Sequence, residues 1–405
     1  MEATVERVPV LPGGYGRSSY WVGPKAPRLQ RGRAAEVLDE DGRWLIDANN
    51  NFAVLILGHG NPAVSEAIAL AAAEGTCFGM PNQWEEQLAH ELLDRVHFAE
   101  QVRFANSGTE AVMTAIRLAR SITRRTKVLG VAGSYHGSSD TALAIRGDGA
   151  MSGVPASVAN DVVTVPLNDT QALGTAFAQY GDELAMMLID LLPNYAGFEQ
   201  IDEKFVTTAR ELCDARGVVL TFDEVVSFRL ERGGLQSRYP VSPDLTVLGK
   251  LIGGGLPIGA VVGKESVMEH LSPSALTPLE SSGTFTGNPV SIRAGLACLA
   301  QYDESEIRRL NALGQKLRES IENDLPSEWK VKGVGSLVRV MQPTAGSNAP
   351  ERHAFWWGAY RRGLVLMPSG LMALSTPMSE QTIATISEIV LESASDAASV
   401  TQTSN

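Results

Sequence analysis

Two short apolar runs in the middle of the chain end in residues able to do chemistry. Val218-Val219-Leu220-Thr221-Phe222 ends in Asp223 and Glu224, and Leu245-Thr246-Val247-Leu248 ends in Gly249 and Lys250. Short apolar runs bounded by turn residues read as buried strands. In an open α/β sheet, ligands sit outside the carboxyl ends of the strands, so an acid and a lysine at two such ends face one site. A lysine held among apolar groups has a lowered pKa and forms a Schiff base with an aldehyde. Pyridoxal 5′-phosphate (PLP) needs such a lysine, and a carboxylate on its pyridine nitrogen to keep the ring electron-accepting. Gly253-Gly254-Gly255, just after Lys250, lets backbone pass close to a ligand. Singly, a lysine after a strand is usually a surface residue and a strand-end Asp a turn former. The joint pattern is far more specific.

Asp223-Glu224-Val225, then Lys250, then Gly253-Gly254-Gly255-Leu256-Pro257-Ile258-Gly259-Ala260 resembles the class III aminotransferases of PLP fold type I. Within them it is most similar to the branch holding glutamate-1-semialdehyde aminomutase and the β-amino-acid aminotransferases. The resemblance runs from about Arg31 to about Pro377. It implies that Lys250 carries PLP and moves a proton between Cα and C4′, with Asp223 sustaining the electron sink.

Further motifs fit the same cofactor. Asn106-Ser107-Gly108-Thr109-Glu110-Ala111 lies between a strand and a helix, where backbone N–H groups favour a phosphate. On the residues alone it reads first as an ordinary helix cap; the resemblance makes Ser107, Gly108 and Thr109 the phosphate loop. No GxGxxG opens a βα unit and there is no Walker A motif. Ser134-Tyr135-His136-Gly137 matches a motif whose aromatic, Tyr135, stacks on the pyridine, with Val225 on the opposite face. His136 is left open between a structural hydrogen bond and a cofactor contact. Gly283-Thr284 is equivalent to a pair that reaches the phosphate of the partner subunit, implying a homodimer with shared sites. Arg31 stands where relatives hold a substrate carboxylate, although it also reads as one of a basic surface run with Arg28 and Arg33.

The chain departs from the family pattern as well. Asp190-Leu191 replaces the usual Glu-Pro, and Tyr195 replaces an asparagine near the cofactor. The segment from Asp140 to Pro155 is shorter than the aminomutase's gating loop. Ser369 stands where some relatives carry a second carboxylate-binding arginine. A more open, less charged second pocket near Phe52, Ser369 and Leu371 follows as an expectation, suited to a neutral or bulky side chain rather than a dicarboxylate.

Composition sets the frame. The chain has 405 residues, 44% of them hydrophobic, enough for two cores. With 34 basic and 46 acidic residues, a net charge of −12 argues against a nucleic-acid or anionic-membrane surface. Cys77, Cys213 and Cys298 lack a CxxC spacing and read as reduced thiols of a cytoplasmic protein. The chain starts without a signal-like apolar segment, and no run is long enough to span a bilayer. No metal site is expected.

Residues 1–30, with Pro9, Pro12, Pro24 and Pro27, read as an irregular arm, followed by a hairpin of Ala35–Asp39 and Trp44–Asp47 about Asp41-Gly42. From about residue 62 strands and helices alternate, predicting a mostly parallel central sheet with helices on both faces. Ile258–Val262 follows the glycine turn so closely that it runs antiparallel. The expected division is an N-terminal arm and hairpin over 1–60, a large PLP-binding domain over 61–290, and a C-terminal part over 291–405. The first and last segments together form a smaller α/β domain, with a helix over about 379–393 and a frayed tail from about Ser395. The reading is a PLP-dependent aminotransferase moving an amino group between an amino acid, or related amine, and an oxo acid by a ping-pong mechanism. An aminomutase or amino-acid racemase using the same site is the alternative. An inactive binding protein of the same fold and a nicotinamide oxidoreductase are weaker ones, since Lys250 and Asp223 are intact and the dinucleotide fingerprint is missing.

Overall fold

The computed structural model describes residues 10–23, 25–147, 149–343 and 350–402; Pro9 and Pro24 of the expected arm and the end of the expected tail lie outside them. The chain opens with β1 (Leu29–Arg33), β2 (Glu36–Asp39) and β3 (Trp44–Asp47), consecutive antiparallel neighbours. Gly42, at a φ of 79°, makes the tight turn between β2 and β3. The Asp39 carboxylate, fully buried, locks that turn by accepting from the Arg43 backbone at 2.8 Å and from its guanidinium.

The large sheet follows: β4 (Gln101–Ala105), β5 (Lys127–Val131), β6 (Val162–Val165), β7 (Leu184–Asp190), β8 (Val219–Asp223), β9 (Leu245–Gly249) and β10 (Gly259–Gly263). Their spatial order is β4-β10-β9-β8-β7-β5-β6, and β10 alone runs against the others, as expected. Every residue of β7, β8 and β9 is buried, which their unbroken apolar runs demand. Alternate residues serve opposite cores. Met186, Leu188, Val219, Leu245 and Val247 pack with helix Gly108–Thr123. Met187, Ile189, Leu220 and Phe222 pack with helices Thr170–Tyr180 and Glu203–Arg216. Each such fully buried side chain contributes roughly 1.5–3 kcal/mol.

The last strands are β11 (Lys330–Val334), β12 (Leu337–Met341), β13 (Leu364–Val365) and β14 (Leu371–Ala373). β11, β12 and β14 form a three-stranded sheet, whereas β13 crosses to pair in parallel with β3. Arg229, 1% exposed, ties the loop after β8 to that sheet by donating to Ser336 Oγ and to the Leu374 carbonyl. Helix Pro289–Gln301 packs its Gly295 so tightly on the turn after β9 that a Cβ there would lie 2.0 Å from the Ile252 carbonyl oxygen.

Three elements differ from expectation. A strand, β1, begins at the end of the presumed arm and runs on to Arg33 with its residues nearly all exposed; a strand without a buried face has no apolar alternation to betray it. Asp140–Arg146 is a helix, too short for a period, burying Thr141, Ala142 and Ile145. The last helix runs Glu380–Gln402 rather than fraying at Ser395, because Ala394 and Ala397 continue the buried stripe of Ile383, Ile386 and Val390.

Candidate active site

Five co-oriented strands end on one side of the large sheet. β4 leads into Asn106-Ser107, β5 toward Tyr135-His136, β7 ends in Asp190, β8 in Asp223, and β9 delivers Lys250. Carboxyl ends of such strands are where an open α/β sheet binds ligands.

Asp223 is 5% exposed, with both oxygens engaged. Oδ2 lies 2.7 Å from His136 Nδ1, and Oδ1 accepts from the Val225 backbone at 3.0 Å. His136 is thus a structural partner of Asp223, while its buried Nε2 has no hydrogen-bond partner among the described residues. Asp190 lies beside Asp223 in the parallel register and accepts from the Leu192 backbone at 3.0 Å. Burial, with the Asp223 charge adding to it, pushes its carboxyl up to about 7. Lys250 adopts a φ of 52°, a left-handed conformation rare for a residue with a side chain. Desolvation lowers its ammonium below the ordinary lysine value, against the opposing pull of Asp223 and Asp190. No hydrogen bond or ion pair engages its Nζ among the described residues.

Val225 wedges between two site loops, since a Cβ on Gly108 would lie 3.0 Å from its Cγ2 and one on Gly249 3.4 Å from its Cγ1. Ser107 caps helix Gly108–Thr123, its Oγ accepting from the Glu110 backbone at 3.2 Å, while the Glu110 carboxylate accepts from the Asn106 N–H at 2.9 Å. Thr109 abuts Gly137, whose φ of 95° and lack of a side chain permit the approach. Tyr135 is 44% exposed, its ring 6.3 Å from that of Tyr195. Burial of the rest of the side chain raises its phenol pKa.

Ser107, Gly108, Thr109, Tyr135, His136, Asp223, Val225 and Lys250 therefore gather at one set of strand ends. Gly283 and Thr284 lie on an exposed loop. A Cβ on Gly283 would approach Asn106 Nδ2 of the same chain at 3.1 Å, and Cys77 Sγ donates to the Thr284 carbonyl at 3.7 Å. Arg31 is exposed on β1, paired with Leu38, and no contact joins it to Lys250 or Asp223 among the described residues. Its neighbour Gly32 presses on His59, which Asp47 holds at 2.7 Å.

The surroundings of Ser369 overturn one expectation. Arg339, from β12, donates from Nε to the Ser369 carbonyl at 3.1 Å, so that pocket carries a guanidinium. Phe52 sits in a left-handed turn over Asn50–Ala53, fixed by Asn49 Oδ1 accepting from its N–H at 2.7 Å, and packs on the core containing Met367 and Leu371. Asp190 closes an apolar run just as Asp223 does, and that signal could have placed it in the site. Arg339 had none: an arginine alternating with apolar residues reads as the wet side of a strand.

These residues fit PLP. A desolvated lysine without a partner and a buried carboxylate end neighbouring strands, a helix N-terminus opens beside them, and an exposed aromatic overlooks the cleft. The aminotransferase class-III family profile matches residues 21–389. An omega-transaminase from Sphaerobacter thermophilus is similar at 36% identity and a TM-score of 0.91, over 96% of this chain and 95% of that one. A beta-phenylalanine aminotransferase from Variovorax paradoxus is similar at 27% identity and a TM-score of 0.86, over 95% and 90%. A glutamate-1-semialdehyde aminomutase from Pseudomonas aeruginosa shares the fold at 22% identity and a TM-score of 0.83, over 94% and 90%.

Because the Lys250 pKa is lowered, its reactive neutral form builds up at lower pH. In cofactor-free protein, acylation of Lys250 followed by peptide mass spectrometry should reach half-maximal rate below the ordinary lysine value of about 10.4. A midpoint at or above that value would show that burial does not activate the amine.

Proposed function

Because the chain belongs to the class-III aminotransferases, it is a PLP-dependent aminotransferase, and we propose that Lys250 and Asp223 are its working pair. The observation that carries this assignment is an unpartnered, desolvated lysine at the end of β9 beside a buried carboxylate at the end of β8. When bound, PLP supplies a sink for the electron pair left behind as a proton departs the substrate's Cα. Asp223, held by His136 and the Val225 N–H, would stand at the ring nitrogen. Tyr135 and Val225 would bound the ring, and Ser107, Gly108 and Thr109 would hold the phosphate. Lys250 would take the proton from the substrate's Cα and return it one position along, acting as general base and then acid. Burial suits it to this, since a lowered pKa leaves more of the amine neutral. Amino donor and oxo-acid acceptor then use the site in turn.

Several finer readings accompany this one. The enzyme works as a homodimer in which Gly283 and Thr284 complete the partner's phosphate site. Supporting this, exposed Leu276 and Phe285 flank that loop in sequence and exposed Phe78 and Met80 closely follow Cys77, which touches Thr284, and apolar surface of this kind marks an interface. Arg31 anchors a substrate carboxylate, guanidinium being matched to that group. The pairing of β13 with β3 supports a small domain built from both chain ends, with divisions near residues 60 and 290. Three unpaired cysteines support a cytoplasmic setting, and no helix among the described residues is long and apolar enough to cross a membrane.

Asp223→Asn should leave cofactor bound while kcat falls at least a hundredfold, about 2.7 kcal/mol of transition-state stabilisation; an unaltered kcat would remove Asp223 from the chemistry. Mixed Lys250→Ala and Thr284→Ala chains should regain activity, since one site of each hybrid dimer then carries neither lesion. Activity no higher than that of Thr284→Ala alone would place Thr284 at its own chain's site, where Gly283 already approaches Asn106. Arg31→Ala should raise KM for an amino-acid donor about tenfold, given roughly 1.5–3 kcal/mol for a charge-assisted hydrogen bond, and spare amines lacking a carboxylate. Equal losses on both would make Arg31 structural.

A further inference from the structure

Although the chain carries a net charge of −12, three guanidiniums converge on one exposed aromatic at the mouth of the site. Arg146 places its Cζ 4.2 Å from the centre of the Tyr195 ring. Arg339 donates from Nη1 to the Asn194 backbone carbonyl and, at 3.3 Å, to Asn194 Oδ1, besides its bond to Ser369. Arg352 donates from Nε to the Pro368 carbonyl at 2.6 Å. Tyr195 in turn faces Tyr135, one residue before the His136 that holds Asp223.

Arg43, Arg95, Arg210 and Arg362 each pair with a carboxylate, whereas Arg146 and Arg339 have none within ion-pair distance among the described residues. Partial burial, with the neighbouring Arg352 charge adding to it, brings the Arg339 pKa down to about 10. Arg339 thus sits beside a like charge with no carboxylate of its own in ion-pair distance among the described residues, and an arriving anion relieves that cost. Arg339 is also pre-oriented. Its Nε and Nη1 are tied to fixed carbonyls, which sets the plane of the fork, and Nη2 has no partner among the described residues. A guanidinium held in this way suits a planar carboxylate.

We infer that Arg339, with Arg146 across Tyr195, receives the distal carboxylate of a dicarboxylic substrate, a 2-oxo diacid acceptor or the matching amino diacid. This rests on the aminotransferase reading, because a second carboxylate is the anion that an oxo-acid substrate brings to this mouth. It reverses the expectation of a neutral second pocket. Ser369 lacks the charge, but Arg339 supplies it from another strand.

The test uses the holoenzyme, with 2-oxoglutarate and pyruvate as acceptors and unreactive glutarate and butyrate as calorimetric ligands. Wild type should bind glutarate at least tenfold more tightly than butyrate. Arg339→Gln should lower the ratio of kcat/KM for 2-oxoglutarate over pyruvate at least tenfold. Arg146→Gln removes no side-chain hydrogen bond made among the described residues and so spares the fold; it should lower the ratio at least threefold. Arg339→Lys, keeping charge but losing the fork, should fall between wild type and Arg339→Gln. Equal binding of glutarate and butyrate by wild type, or an unchanged ratio in Arg146→Gln and Arg339→Lys, would overturn the subsite while leaving transamination standing. Arg339-dependent binding of glutarate without turnover of either oxo acid would do the reverse: the subsite stands and the transferase reading fails.

Discussion

A carboxylate at the floor of a cleft, cut off from water, is the condition on which the rest of this site depends. A buried carboxyl group must find hydrogen-bond partners, and Asp223 has two, His136 Nδ1 at 2.7 Å and the Val225 N–H at 3.0 Å. The consequences spread through the neighbouring strands. Asp190, one strand over, is pushed up to about 7 by its own burial, with the Asp223 charge adding to it. Lys250, on the other side, loses part of its preference for the ammonium form through the same dryness, but the two acids limit how far. One apolar environment thus moves an acid and a base in opposite directions, bringing both toward neutral pH.

What could be read from the chain alone follows the same physics. The strands beneath the site are buried on both faces, so they had to be unbroken apolar runs, and a charged residue ending such a run had to be at its rim. Asp223 and Lys250 were legible for that reason. The adjacency of β8 and β9 then follows from the sheet order. β1 was not legible, because its hydrogen bonds are made by backbone and its side chains face solvent. The final turns of the last helix were hidden because alanines, not large apolar residues, carry its buried stripe. Arg146, Tyr195 and Arg339 converge from three distant places in the chain, and no periodicity within any one of them announces the meeting.

Local and global charge also part company here. The acidic surface as a whole repels anions, yet the mouth collects guanidiniums around Tyr195. Potential focused by low-dielectric walls outweighs distant charge screened by salt, since the Debye length is about 8 Å at physiological ionic strength. A net-charge argument therefore bears on nucleic acids and membranes and says little about what the cleft admits.

The parallel pairing of β13 with β3 carries a cost in time. Asp39, buried in the first hairpin, receives the Tyr360 hydroxyl from 321 residues downstream, and Ile46 pairs with Leu364. On a ribosome adding roughly 5–20 residues each second, the N-terminal strands must wait many seconds with an open edge before their neighbour exists. The large sheet, whose strands lie closer together in sequence, has time to form first. An exposed edge is a template for mispairing with another chain, and the long wait makes the start of this protein its most vulnerable part during synthesis. The waiting edge is that of β3, and its shortness, only the four residues Trp44–Asp47, limits the template it offers until β13 arrives.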